Sequence, residues 1–222
     1  MNTLSPNATK QREVLAGLGC ILEGNFFFAL KSGRVARKYI NVDPLLTKPA
    51  LLDAAVEDML EVIPSERFRI IETIVAPAVG GIAFAYALST AFERMTGRRP
   101  DVAFAEKQGE EFRFERMGFD KVIRGKKVLI VEDIGSSGIT VKKVVDQVRL
   151  LKGRVVETCF LWNRGNITST QVGSPTCALI TETIQDWDPE DCPDWGELPL
   201  VSDIGHPEKF PNYPGGHISL LK

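Results

Sequence analysis

Apolar runs and amphipathic stretches alternate along most of this chain. Ile70–Ala76, Asp101–Glu106, Val128–Val131, Arg154–Trp162 and Thr176–Thr183 are short segments dominated by aliphatic and β-branched residues. They read as buried strands, covered on both faces rather than one. Helical patterns stand between them. Ile82 to Met95 is strongly apolar, and Val141, Val144, Val145, Val148 and Leu151 fall on one face of a helix. Strands alternating with helices predict an α/β fold built on a central sheet with flanking helices. Upstream, Thr9 is placed to cap a helix reaching about Leu22 and ended by Gly24. Phe26, Phe28 and Leu30 then alternate as a strand, with Phe27 on its other side. Lys48–Val62 reads as a helix that starts after Pro49 and stops at Pro64. Together with the first helix it is expected to form a small hood over the sheet edge. From Gln185 onward Pro, Gly, Asp and Trp accumulate, which predicts a coiled covering tail. The expected divisions are residues 1–65, 66–184 and 185–222.

Composition narrows the picture slightly. The chain has 222 residues, 44% hydrophobic and 25% charged, which suits a soluble globule. Lys+Arg number 27 and Asp+Glu 29, a net charge of −2 that offers no global attraction to nucleic acid. No run is long enough to span a membrane. Cys20, Cys159, Cys177 and Cys192 form no C-x-x-C pair and are expected as reduced thiols of a cytoplasmic protein. His206 and His217 both lie near the C-terminus, which argues against a histidine-based triad.

The chemistry concentrates at Val128–Thr140, V-L-I-V-E-D-I-G-S-S-G-I-T. A buried strand delivers two carboxylates, Glu132 and Asp133, to its end. Gly135, Ser136, Ser137 and Gly138 then lead into a helix. Unpaired amides and the helix macrodipole favour a phosphate there, and the glycines let the backbone approach it. The carboxylates would repel a phosphate, so they are suited to hydroxyl groups or to a divalent cation. A receiver domain and a dinucleotide fold compete for such a segment. The first would put it at the domain start with a third acid, and the second would need G-x-G-x-x-G.

This stretch resembles the phosphoribosyl pyrophosphate (PRPP) motif of the type I phosphoribosyltransferases. In that family the two acids hold the ribose hydroxyls and the loop holds the 5-phosphate. The resemblance implies that family's fold, a mostly parallel twisted sheet with a hood and a flexible lid loop. It also implies PRPP contacts from Glu132, Asp133, Ile134, Gly135, Ser136, Ser137, Gly138, Ile139 and Thr140. A second segment, F-A-L-K-S-G-R-V-A-R-K-Y from Phe28 to Tyr39, resembles the amino-terminal motif of the orotate branch, with Ala36 where serine is usual. It implies Lys31 on the nucleobase side and Arg34 on the phosphate side. The glycine turn Ala78, Val79, Gly80, Gly81 is implied to lie against the pyrophosphate, with close helix–sheet packing as the competing explanation of its glycines.

Lys107–Arg124 reads as a long exposed segment dense in charge. A β-hairpin through Phe112 and Phe114 competes with a lid here, and the resemblance favours the lid, residues 107–124, closing over a neighbouring subunit's site in a homodimer. Lys107 is then the cation on the departing pyrophosphate, with Arg116 the weaker candidate and Met117 where arginine is common. Asn163-Arg164-Gly165 stands where many orotate enzymes carry Asp-Arg, and Arg164 is implied to grip the orotate carboxylate beside Ser136. The expected substrates are PRPP and orotate, with Mg2+ carried on PRPP rather than caged by protein, and with Lys107 and Asp133 catalytic. No nucleic-acid or membrane partner is expected. A purine or uracil phosphoribosyltransferase, or a PRPP-sensing regulator, are the competing readings.

Overall fold

The computed structural model describes residues 4–221. It divides into two compact units, one made of residues through Val14 with Val42–Thr183, the other of Leu15–Asn41 with the residues from Ile184 onward. The expected grouping of residues 1–65 is thus divided between the two.

In chain order the elements begin with α1 (Pro6–Gly17), β1 (Ile21–Ala29), β2 (Val35–Ile40), α2 (Asp43–Leu46), α3 (Pro49–Glu61) and α4 (Ser65–Phe68). They continue with β3 (Thr73–Pro77), α5 (Gly80–Thr96), β4 (Asp101–Gln108), β5 (Glu111–Arg113), α6 (Phe119–Ile123) and β6 (Lys127–Gly135). The remainder are α7 (Ile139–Leu150), β7 (Arg154–Asn163), α8 (Ser169–Val172), β8 (Thr176–Thr181), β9 (Leu200–Val201) and β10 (His217–Ile218). Among the described residues no helix is long and apolar enough to cross a membrane.

The first helix corrects the sequence reading at both ends. Ser5, not Thr9, supplies the cap: its Oγ accepts the Ala8 amide at 3.2 Å, and Pro6 follows as a good first helical residue. Gly17 ends the helix, Gly19 turns the chain at φ +75°, and Ile21 already belongs to a strand.

In the first unit six strands lie in the order β5-β4-β3-β6-β7-β8, all parallel except β5, which returns antiparallel to β4. The α/β expectation with a mostly parallel sheet holds. α5 packs on β3, β4 and β6, and α3 on α5, β7 and β8. On the opposite face Val141, Val144, Val145 and Val148 of α7 meet Ala103, Val128, Ile130 and Phe160. The stripe read from the sequence is that buried face. α3 is therefore a layer on the sheet face rather than a hood at its edge. α1 is tied to it through Gln11 Nε2, which donates to Asp58 at 2.6 Å.

Residues 107–124 are not structureless. Gly109 and Glu110 make a two-residue turn, with Gly109 at φ +58°, and Gln108 pairs with Glu111. Phe112 is buried against the α7 face, with Phe114, Phe119 and Val122 packed beside it. The hairpin weighed against the lid is therefore present, followed by a short helix.

The second unit is a small four-stranded sheet in the order β10-β9-β1-β2. Phe27 of β1 stands opposite Leu200, and Leu200 opposite His217. The tail expected as coil thus supplies two strands and an aromatic cluster. Trp195, Phe210 and Tyr213 pack with Phe27, Val35 and Cys192. All four cysteines are reduced, three of them buried.

Candidate active site

The strand order itself locates a crevice. From β3 the chain crosses outward to β4, whereas from β6 it crosses the other way to β7 and β8. β3 and β6 are neighbours whose crossovers diverge, and ligands of open α/β sheets sit beyond the carboxyl ends of such a pair. Two glycine turns meet there. Ala78–Gly81 leaves β3, and Gly135–Gly138 leaves β6.

Each turn is shaped by what lies against it. A Cβ on Gly80 would stand 2.6 Å from Asp133 Oδ2, so only glycine leaves the carboxylate its place. A Cβ on Gly81 would press on Ala76 at 2.8 Å, which accounts for the close approach of α5 to the sheet. The packing explanation of the glycine pair is realised at Gly81, while Gly80 makes room for the carboxylate at the end of β6. The Ala78 amide donates to Ala105 O at 2.7 Å, the Ala78–Val79 peptide is cis, and Val79 is exposed.

Glu132 and Asp133 are half-buried at the end of β6. Asp133 Oδ1 accepts the Ile134 amide at 2.7 Å, which turns Oδ2 toward Gly80. Ser136 and Ser137 are exposed, Gly138 sits at φ +75°, and Ile139 and Thr140 open α7. Ser137 Oγ accepts the Ile139 amide at 3.4 Å. The loop's hydroxyls and amides therefore gather at the positive end of a twelve-residue helix. Among the described residues no group of three or more His, Cys, Asp or Glu is arranged to hold a metal ion.

Arg164 follows β7, the neighbour of β6. Its guanidinium donates to Ser136 Oγ at 2.9 Å, so two residues predicted to contact the base are adjacent. Lys107 and Arg116 belong to the hairpin side. Lys107 is exposed and stands 3.9 Å from Glu110. Arg116 makes a two-pronged pair with Glu106 at 3.2 and 2.9 Å and lies over the Phe104 ring. Met117 is fully exposed.

Lys31 and Arg34 belong to the second unit. Lys31 is exposed. Arg34 donates to Asp186 Oδ1 at 2.7 Å and to Asp188 Oδ2 at 2.5 Å. The hydrogen bond it gives to Asp186 raises its pKa above the usual arginine range. Those partners come from the distant tail, and sequence reasoning missed them. Asn163, which sequence resemblance marks only as standing in place of aspartate, organises the turn that carries Arg164. The signal was Asn163-Arg164-Gly165-Asn166, a run of turn-forming residues.

A strand-end acid pair, a hydroxyl-bearing loop at a helix N-terminus and a glycine turn facing it suit a phosphorylated sugar. The phosphoribosyl transferase domain model matches residues 42–188. The chain belongs to the phosphoribosyltransferase family. It is 31% identical over 182 residues to the orotate phosphoribosyltransferase of Caldicellulosiruptor saccharolyticus, covering 82% of this chain and 88% of that one. The orotate phosphoribosyltransferase structure from Aeropyrum pernix superposes with a TM-score of 0.62 at 21% identity, over 76% of this chain and 92% of that one. The adenine phosphoribosyltransferase of Saccharomyces cerevisiae matches at 0.57 and 17% identity, over 78% of this chain and 99% of the other. Fold is therefore shared across base specificities, and the base must be argued from the site.

Proposed function

We propose that this phosphoribosyltransferase moves the 5-phosphoribosyl group of PRPP onto orotate, giving orotidine 5-monophosphate and pyrophosphate. The observation that carries this reading is Arg164 hydrogen-bonded to Ser136 of the phosphate loop. A guanidinium there sets a planar, two-pronged receptor for a carboxylate beside the sugar site, and orotate is a pyrimidine with a carboxylate. The names of the curated relatives support the same base.

The chemistry requires the ribose C1–O bond to break. Positive charge grows on the ring and negative charge on the departing pyrophosphate, and the orotate ring nitrogen attacks C1 as its proton passes to the pyrophosphate or to water, so no protein nucleophile is needed. Amides and hydroxyls of Gly135–Thr140 hold the 5-phosphate against α7. Glu132 and Asp133 accept hydrogen bonds from the ribose hydroxyls and favour the cationic ring through their charge. Lys107 and the amides of Val79, Gly80 and Gly81 receive the pyrophosphate, the Ala78 amide being held by Ala105 O. The site suits Mg2+ carried on PRPP: Asp133 Oδ2 is turned toward Gly80 beside the pyrophosphate turn, a carboxylate oxygen that a hydrated hard cation would meet through its water. Carried on PRPP, Mg2+ would supply charge neutralisation for the pyrophosphate. We further infer a cytoplasmic homodimer in which the 107–124 segment reaches the neighbouring site.

The test is a base panel. Purified protein is mixed with PRPP, Mg2+ and one of orotate, uracil, adenine, hypoxanthine or xanthine, and turnover is followed by ultraviolet absorbance. Turnover of orotate alone is expected, reduced about a hundredfold or more in Asp133→Asn. Preference for another base would refute the assignment of orotate.

A further inference from the structure

Arg164 is placed by its neighbours. Asn163 is buried, and its side-chain amide closes the following turn with two bonds to one residue: Nδ2 donates to Ile167 O at 2.9 Å and Oδ1 accepts the Ile167 amide at 2.8 Å. Only a primary amide offers a donor and an acceptor in that geometry; a carboxylate of the same shape offers acceptors alone. The turn so closed is docked on the phosphate loop at three points. The Arg164 and Gly165 amides both donate to Gly135 O, at 2.9 and 3.1 Å. Gly165 lies so close that a Cβ on it would overlap the Ser136 carbonyl. Ile167 is buried over both loop glycines; a Cβ on Gly135 would stand 2.8 Å from its Cδ1, and one on Gly138 3.2 Å from its Cγ2. Asn166 takes the left-handed conformation, φ +52°, that lets the chain double back over so short a span.

We propose that Asn163–Ile167 is a clamp that fastens the base-side arginine to the phosphate loop, with Asn163 as its lock, so that the sites for orotate and for the ribose 5-phosphate are positioned together. The proposal rests on the orotate reading for Arg164, but its mechanical core does not: any shift of the turn must move Gly135, Ser136 and Gly138. Asn163 touches neither substrate. It is a positioning residue, and releasing it is expected to weaken both substrates at once, which a residue serving only the base would not do.

The experiment compares Asn163→Ala, which removes both bonds, with Asn163→Asp, which keeps the bond from the Ile167 amide and sets a carboxylate against the Ile167 carbonyl. PRPP affinity is measured alone by calorimetry with Mg2+ present, KM and kcat for both substrates by steady-state assay, and folding by thermal midpoint. The Ala variant is expected to raise the orotate KM and the PRPP Kd in parallel, each about tenfold, with a smaller change in kcat. The Asp variant should fall between it and the parent. If Asn163→Ala does not fold, Asn163→Asp carries the same reading. Unchanged KM and Kd with a lowered midpoint or kcat would overturn the proposal, reducing Asn163 to structural support. A rise in orotate KM with PRPP Kd unchanged would overturn the coupling. If the parent protein does not use orotate, the functional reading fails, and the PRPP Kd of the two variants still decides for or against the clamp.

Discussion

Arg164 and Arg116 stand just beyond the ends of β7 and β5, and they are held in opposite ways. Arg164 grows from a turn locked by Asn163 and docked on the phosphate loop, and its guanidinium meets a hydroxyl. Arg116 is exposed, lies on the Phe104 ring and grips the Glu106 carboxylate with two hydrogen bonds. Lys107 resembles Arg116, with Glu110 as its nearby carboxylate. On the proposed function, the contrast separates two tasks of a transferase. Recognition of a planar base needs a cation fixed in advance, because geometry is what selects the base. Neutralising a leaving pyrophosphate needs cations that arrive late, and a surface carboxylate is a suitable resting partner. Such exposed pairs are worth only about 0–1 kcal/mol, so an incoming anion displaces Glu106 or Glu110 at little cost.

The contrast is open to attack from both sides. Lys107→Ala should have the largest effect, about a hundredfold or more in kcat with substrate KM nearly unchanged, because its interaction strengthens as the leaving group gains charge. Rapid-quench kinetics will separate that step from binding. Arg164→Ala should act the other way, mainly on orotate KM. Losing a hydrogen bond to a charged group costs about 1.5–3 kcal/mol, which corresponds to roughly ten- to a hundredfold. Glu106→Gln should change activity no more than about fivefold, yet alter its salt dependence, because Arg116 no longer has a carboxylate to leave.

The smallest effect on turnover is expected from Glu157→Gln. Glu157 is fully buried on β7, with Oε2 accepting from Arg67 at 2.6 Å and Oε1 without a hydrogen-bond partner. Burial raises its pKa, although Arg67 opposes the shift. In the interval between its unfolded and folded pKa the folded chain holds a proton that the unfolded chain has released. That contribution is present at low pH and is lost as pH rises through the folded value. Urea denaturation across mildly acidic to neutral pH should therefore show a decline in the parent that flattens in Glu157→Gln, with kcat unaffected.

Much of this was legible in the sequence, and the reasons for the rest are physical. The Val128–Val131 run, its acid pair and the valine stripe of α7 are local patterns, and each became the element it announced. Two-residue strands such as β9 and β10 have no periodicity of their own; Leu200 is a strand residue because Phe27 and His217 flank it. The hairpin at Gly109-Glu110 was written in its turn residues and in the flanking Phe112 and Phe114, but the resemblance to the orotate branch favours a lid there. The clamp was hidden for another reason. Gly165 is required by the Ser136 carbonyl and Asn163 by both polar groups of Ile167, and no spacing along the chain encodes either neighbour.

The most direct test compares orotate with uracil, the same ring without the carboxylate, in the parent protein and in Arg164→Ala. The account predicts that the parent favours orotate strongly in kcat/KM and that Arg164→Ala loses most of that preference by losing orotate rather than by gaining uracil. A variant that keeps the parent's orotate preference would contradict it, and Arg164 would then not be the group that reads the base.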